Sequence, residues 1–388
     1  MTYVKYSLVE ILLALYPVLC GYTFYGLPMS LLLLLIIDGL AIIRSGKILK
    51  HKFLMYFVLF VLLHELLILF LTGVNTTKIN NFVGLIIFTV SIFIIVPSIN
   101  IDKYKNAFYL LAFIYTVGII YHSILIYSGH TVSPIKMPFM PDPGAESRLY
   151  EVGDRPVSFF WEPGNYASFM LFPLYFSLYS EKKYYSLLII LAIFISSSTN
   201  GVIFSLIMLI GYAFTQKLSK AQIAGIIVFG LLSISALFYL NIFQNTKEKL
   251  LNTDYEHTIR LYNGPVIVSN MPSKHLILGI PYYSTEDYYN KTNFVKDGLI
   301  ILKDHDLFVS SFWQLIIKYG IIGLIIYLFF IYKLYRRNIE LRPYILIYFV
   351  SMFSQSTLLN AGWFTTVTFM LVINKERLQN KWIAELKS

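Results

Sequence analysis

The sequence predicts an all-α polytopic membrane protein, and three observations carry that prediction. Hydrophobic residues make up 57% of the 388-residue chain and charged residues only 13%, where soluble proteins carry roughly 25% charge. The mean hydropathy is +0.66. The apolar residues fall in runs of bilayer length, bounded by charge. So few charges cannot cover a soluble surface, so most side chains must face lipid or one another. The net charge of +10 reads in such a chain as basic cytoplasmic loops, with no nucleic acid implied. The single cysteine excludes an intrachain disulfide and a cysteine-based zinc cluster.

About 12 spans follow, in pairs that each end on a basic cluster. Spans 7–24 and 27–43 lead to Arg44, Lys47, Lys50 and Lys52. Spans 53–72 and 82–99 lead to Lys103 and Lys105. Spans 107–127 and 164–180 lead to Lys182 and Lys183, and 184–198 with 201–215 to Lys217 and Lys220. Spans 222–241 and 310–332 lead to Lys333, Arg336, Arg337 and Arg342. Every cluster follows an even-numbered span, which places those loops and the N-terminus in the cytoplasm. The stretch 343–373 is long for one helix and short for two. One helix would put Lys375, Arg377, Lys381 and Lys387 outside. Two helices, 343–358 and 361–373, turning near Asn360-Ala361-Gly362, keep them inside. The first run lacks an Ala-x-Ala-like cleavage site and is read as a retained span. Leu19 before Cys20 is not small, which argues against a lipobox. No internal repeat points to an inverted-repeat transporter.

The chain thereby divides into five N-terminal spans (1–127), a first large outer loop (128–163) and four further spans (164–241). A second large outer loop with an amphipathic helix (242–309) precedes the C-terminal spans and basic cytoplasmic tail (310–388). Inner loops are short and two outer ones are long, so chemistry is expected on the outer face.

The first outer loop carries Arg148, Glu151, Asp154, Arg155, Trp161 and Glu162, then Pro163-Gly164-Asn165. Pro163 suits the first turn of a helix. Arg155 and Glu162 then stand near a helix start whose open amides attract anions, or else form a local surface ion pair. The second outer loop carries His257, Arg260, Tyr262, Lys274 and His275. Residues 254–270 read as an interfacial helix that holds Arg260 at headgroup depth, facing a phosphate or simply snorkelling. Lys303-Asp304-His305-Asp306 closes this loop. Asp304 and Asp306 form a weak metal-binding pattern, or cap a helix; His305 is an acceptor-side base candidate. Ser196-Ser197-Ser198-Thr199-Asn200-Gly201 either lines a polar cavity or makes a hydrogen-bonded turn. His64-Glu65 lies inside the third span, where ionisable groups are functional candidates by default or form a mutually bonded pair. Tyr255, Tyr262, Tyr282, Tyr283, Tyr288 and Tyr289 either stack on sugar rings or belong to an interfacial belt. Neither a nucleotide-binding glycine loop nor a hydrolase serine elbow is present.

Four features in order resemble the O-antigen polymerase and ligase superfamily of bacterial membrane glycosyltransferases. They are Arg155 with Phe160-x-Glu162-Pro163 and Ala167, the Ser/Thr-Gly turn at 196–201, Arg260 followed by Pro272 and Gly279, and Gly320-x-x-Gly323. Together they cover most of residues 140–332. The resemblance implies a GT-C-like helical fold in the plasma (inner) membrane with its active site on the outer face. It implies a polymerase that moves a growing glycan from undecaprenyl diphosphate onto the next lipid-linked repeat unit, for O-antigen, capsule or exopolysaccharide. Donor and acceptor would both be undecaprenyl-diphosphate-linked oligosaccharides, with a chain-length regulator as a further partner and no cofactor. Arg155, Arg260 and Arg148 would hold the diphosphate, whose charge grows as it leaves. Glu162 would orient Arg155 or act as general base. Asn165, Tyr262 and Lys274 are further candidates. A ligase that transfers glycan to lipid A core is the alternative within the superfamily. Its His-Asn pattern before Gly-x-x-Gly is absent; here His305-Asp306 stands farther from Gly320. Pro281 replaces the second glycine that often follows Gly279. A non-enzymatic flippase or exporter is the alternative from another class.

Overall fold

A computed structural model describes residues 6–24, 27–138, 140, 155–180, 184–216, 259–292, 300 and 307–387, with a broken set of positions between 218 and 235. Among the described residues the chain is helical, apart from a two-residue hairpin in which Thr23–Phe24 pairs antiparallel with Leu27–Pro28. Four helices among the described residues are long and apolar enough to cross a membrane, and three shorter ones are apolar. The helices form two compact units, each assembled from separated parts of the chain.

The first unit takes Met1–Ser45, Ser98–Leu251 and Arg342–Ile347. It holds α1 (Leu8–Leu19), α2 (Met29–Ser45), α5 (Ile101–Tyr127), α6 (Pro163–Tyr179), α7 (Tyr184–Ile195) and α8 (Thr199–Thr215). The first expected span, 7–24, is therefore a 12-residue helix that gives way to the hairpin. Its anchor is Glu10, fully buried. Glu10 Oε1 accepts from Arg44 Nη1 at 2.7 Å and from the Asn100 amide at 2.8 Å, tying α1 to α2 and to the start of α5. Losing the Arg44 partner would leave the Glu10 carboxylate buried without its counter-charge, at a cost of about 3–5 kcal/mol. Asn100 also caps α5, its Oδ1 accepting from the Lys103 amide at 3.1 Å. The core is aromatic: Phe108 lies 5.1 Å from Phe172 and 5.4 Å from Phe169, and Tyr104 lies 4.7 Å from Phe108. Each such pair adds about 0.5–1.5 kcal/mol beyond burial.

The second unit takes Gly46–Pro97, Asn252–Leu341 and Tyr348–Ser388. It holds α3 (Lys52–Thr72), nearly all of α4 (Thr76–Ser98), α9 (Ile259–Asn270), α10 (Ser273–Leu278), α11 (Thr285–Thr292) and α12 (Ser311–Arg337). It also holds the end of α13 (Arg342–Ser354) and α14 (Ala361–Lys387). The stretch 343–373 is thus broken between two helices. α12 is central, packing against α3, α9, α10, α11 and α14. It is bent at Gly320 (φ 68°). Trp363 Nε1 donates to Tyr327 Oη at 3.0 Å, and Tyr327 shares a second hydrogen bond with Tyr348. Lys375 Nζ donates to the Pro97 carbonyl at 2.8 Å and the Val96 carbonyl at 3.3 Å, tying α14 to the end of α4.

Span 222–241 falls largely outside the described residues. So do Arg148, Glu151, Asp154, Tyr255, His257, Asp304, His305 and Asp306.

Candidate functional site

In the first unit, the segment before α6 is built into the wall formed by α5. Pro156, Val157, Ser158 and Phe160 are buried, while Arg155 and Glu162, at its two ends, are half-buried. The Phe160 ring packs on Tyr115 at 5.2 Å and on Tyr166 at 5.9 Å. Ser158 adopts a left-handed backbone, φ 56°, at a cost of about 1–3 kcal/mol. Three hydrogen bonds offset it. Ser158 Oγ donates to the Tyr115 carbonyl at 2.9 Å, the Ile135 amide donates to the Ser158 carbonyl at 2.8 Å, and the Ser158 amide donates to His122 Nδ1 at 3.1 Å. Each contributes about 0.5–1.5 kcal/mol net. The wall is shaped to receive the segment. A Cβ on Gly118 would come within 2.3 Å of Ser158 Oγ, and one on Gly21 within 2.0 Å of the Trp161 ring.

Pro163 opens α6, as the sequence predicts, and Glu162 is its N-cap in extended conformation. The Glu162 side chain makes no capping bond. Of the first-turn residues, Pro163 has no N–H and the Asn165 amide donates to the Glu162 carbonyl at 3.1 Å, which leaves the Gly164 amide of the open set expected there. Asn165 is exposed in that first turn.

Two features of the motif set have a packing explanation. A Cβ on Gly201 would lie 2.4 Å from Ala167 Cβ, so α6 and α8 pack tightly at Ala167 and Gly201, where small residues are needed. The serine turn before Gly201 is a helix cap: Ser198 Oγ accepts from the Gly201 amide at 3.2 Å and Ser196 Oγ donates to the Ile193 carbonyl at 2.6 Å. Those two hydroxyls serve the backbone rather than a cavity.

In the second unit, Arg260 sits on α9; its side chain lies outside the described residues. Ile259, Asn263 and Ile267 form the buried stripe of α9, and a Cβ on Gly264 would meet the Trp313 ring at 2.2 Å. The apolar face expected to meet lipid is therefore occupied by α12. Tyr262 is half-buried and Lys274 exposed. His275 Nδ1 and Tyr288 Oη are 2.9 Å apart, joining α10 to α11. Burial, and then the Lys274 ammonium, pushes the His275 imidazole below its ordinary value; burial pushes the Tyr288 phenol up. Both are thus neutral at pH 7. Tyr288 is 1% exposed, and Tyr282 and Tyr289 pack on the same cluster with Ile267, Met271 and Ile317. The Tyr288 ring is therefore core, with the Tyr282 and Tyr289 rings partly buried against it, a packing role that neither sequence reading anticipated.

The Gly279 and Gly320 motifs meet directly. Both have positive φ, 90° and 68°. A Cβ on Gly320 would lie 2.2 Å from the Ile277 carbonyl oxygen, and one on Gly279 would lie 2.3 Å from the Lys318 carbonyl oxygen. The Ile280 amide donates to the Ile317 carbonyl at 3.1 Å. Backbone lies against backbone there, and only glycine has both the conformation and the room.

That junction carries Lys318 and Tyr319 to α3. Glu65 Oε1 accepts from Tyr319 Oη at 2.7 Å and pairs with Lys318 Nζ at 2.8 Å. His64 and Glu65 are consecutive helical residues and point in different directions, so they do not bond each other. The His64 ring instead meets Tyr319, centroids 5.2 Å apart. Lys318 Nζ and Lys78 Nζ lie 5.5 and 6.0 Å from the Tyr283 ring centroid. Lys78 Nζ also donates to the Thr72 carbonyl and Oγ1 and the Gly73 carbonyl, each at 3.0 Å, capping the negative end of α3.

No protein-family model matches the chain, and a search of curated proteins found no match.

Proposed function

We propose that the chain is a bacterial membrane glycosyltransferase that polymerises lipid-linked oligosaccharide repeat units. In this reading it spans the plasma membrane about 12 times in a GT-C-like arrangement. Both termini lie in the cytoplasm and the first and second polar segments lie outside. The observation that carries the reading is the build of the segment 155–162. An arginine and a carboxylate are held at its two ends, its middle is buried against α5, and it enters a helix at Pro163 whose N-cap side chain makes no capping bond.

The chemistry fits a diphosphate leaving group. The acceptor hydroxyl attacks the anomeric carbon of the donor glycan, forming the new glycosidic bond. The bond from that carbon to the diphosphate oxygen breaks, and undecaprenyl diphosphate departs with the electron pair. Arg155, with Arg260 and Arg148 as further guanidinium donors, holds the growing negative charge. Glu162 takes the acceptor's proton or holds Arg155 in its working orientation.

Deletion of the gene tests the class. A polymerase mutant leaves single repeat units on the cell surface; a ligase mutant leaves none; a flippase mutant leaves none while lipid-linked units build up inside. An unchanged long ladder sinks the proposal. Arg155→Ala should leave protein abundance unaltered and abolish chain extension, a loss of at least about 100-fold if one transition-state charge donor is removed.

A further inference from the structure

His122 is a residue that no motif singles out, and it is 2% exposed on α5. Its Nδ1 accepts two backbone amides from the segment before α6: Val157 at 3.3 Å and Ser158 at 3.1 Å. An imidazole nitrogen that accepts two N–H groups carries no proton, so the ring is neutral with its hydrogen on Nε2. Every other anchor of the turn leaves these two amides untouched. Ser158 Oγ is used by the Tyr115 carbonyl, and the Ser158 carbonyl by the Ile135 amide. Tyr115, Gly118 and His122 lie at helical spacing on one face of α5, so one helix face supplies an acceptor, a gap and a second acceptor. Pro156, immediately before the two amides, has no N–H to give. Arg155 is thus two residues from one end of the bonded pair, and Glu162 four residues from the other.

We propose that His122 is the positioning residue for the Arg155–Glu162 segment. Through Nδ1 it fixes the 157–158 turn, and the turn sets where the guanidinium and the carboxylate stand. His122 touches no substrate in this role and acts through the backbone alone. The proposal rests on the polymerase reading for its catalytic consequence and on the geometry for the latch itself.

Full-length protein in lipid nanodiscs provides the test, with two readouts. Amide hydrogen exchange at Val157 and Ser158 reports the latch. These amides should be protected in the wild type, exchange fast in His122→Leu, and be protected again in His122→Asn, whose Oδ1 falls near the position of Nδ1. Glycan extension from purified lipid-linked repeat units reports the consequence. His122→Leu should lower kcat by about 100-fold, the loss expected when a charge donor is misplaced by an ångström, with a smaller change in KM. His122→Asn should recover most of kcat. A purely structural histidine would lower the yield of folded protein and leave kcat per folded molecule unchanged. Should His122→Leu not fold, Gly118→Ala displaces Ser158 through its Oγ, which the new Cβ would meet at 2.3 Å, and must give the same loss of kcat and of protection. Unchanged protection in His122→Leu, or full kcat with the amides released, overturns the proposal. Wild-type protein that extends no glycan overturns the polymerase reading instead, and the exchange result then decides the latch alone.

Discussion

At the scale of single residues, buried polar groups in this chain act as ties between distant segments. Glu10 joins three segments through one oxygen, His122 joins a helix to a turn, and Glu65 reaches residues 254 positions away in sequence. His51 belongs to the same set. Its Nδ1 accepts from the Leu54 amide at 3.3 Å, capping α3. Burial, followed by the nearby Arg337 charge, lowers its pKa to about 4. A histidine whose folded pKa is depressed contributes stability that is complete above the unfolded value near 6.5. That contribution is lost as pH falls toward about 4. Thermal unfolding in detergent should therefore show a wild-type stability loss between about pH 6.5 and 4. His51→Asn keeps a capping acceptor without a titrating group, and should flatten that part of the curve while matching the wild type at pH 7.5. Equal pH slopes in the two proteins would remove His51 as the cause. Position 51 reads as one more polar residue among basic neighbours, and nothing in its sequence context marks it as a cap. The cap exists because Phe330 packs against the ring, centroids 5.5 Å apart, and shuts out water.

At the scale of elements, the hydropathy runs locate helices well and leave their faces and bends undetermined. α3 was expected at 53–72 and runs Lys52–Thr72; α12 was expected at 310–332 and runs Ser311–Arg337. The bend in α12 is not legible in hydropathy, because Gly320 and Gly323 look alike in a run of Ile and Leu. Only Gly320 takes a positive φ, since only it meets the 277–279 backbone. Two glycine substitutions separate the cases. Gly320→Ala must strain the backbone and strike the Ile277 carbonyl, and should destabilise by about 2 kcal/mol or more. Gly39→Ala, in mid-α2 with nothing within 4 Å of the new Cβ, should stabilise by about 0.5–1 kcal/mol. Chemical-unfolding midpoints of the two variants against the wild type check both signs. α9 makes the same point about faces. Its apolar stripe reads as membrane-facing when taken alone, and it is covered by protein because Trp313 sits over Gly264.

At the scale of the whole molecule, each unit collects helices from separated stretches of the chain. The twelve-span arrangement proposed for it predicts which ends are reachable from which side. With Cys20→Ser as the background, a membrane-impermeant maleimide should label Asn165→Cys from outside intact cells. Lys47→Cys should react only after the membrane is opened. Labelling of both from one side would break the arrangement. The candidate residues divide unevenly between the two kinds of knowledge. Arg155, Glu162 and Pro163 were legible because charge, proline and a following apolar run coincide at a helix entry. His122, Gly118, Tyr115 and Gly21 were not, because each is an ordinary residue in an apolar stretch until the segment 155–162 lies against it.

The sequence by itself determined that the chain is helical and apolar enough for a membrane, roughly where its apolar described helices lie, and which polar segments hold its few charges. Those properties are sums over neighbours in the chain, and composition and hydropathy report them directly. Only the tertiary structure decided that Gly279 answers Gly320, that Ala167 answers Gly201, that Glu65 bonds α12 rather than His64, and that His122 holds the Arg155 segment. Each of these is a contact across tens to hundreds of residues, set by which helix faces pack together, and hydropathy along the chain carries no record of that choice.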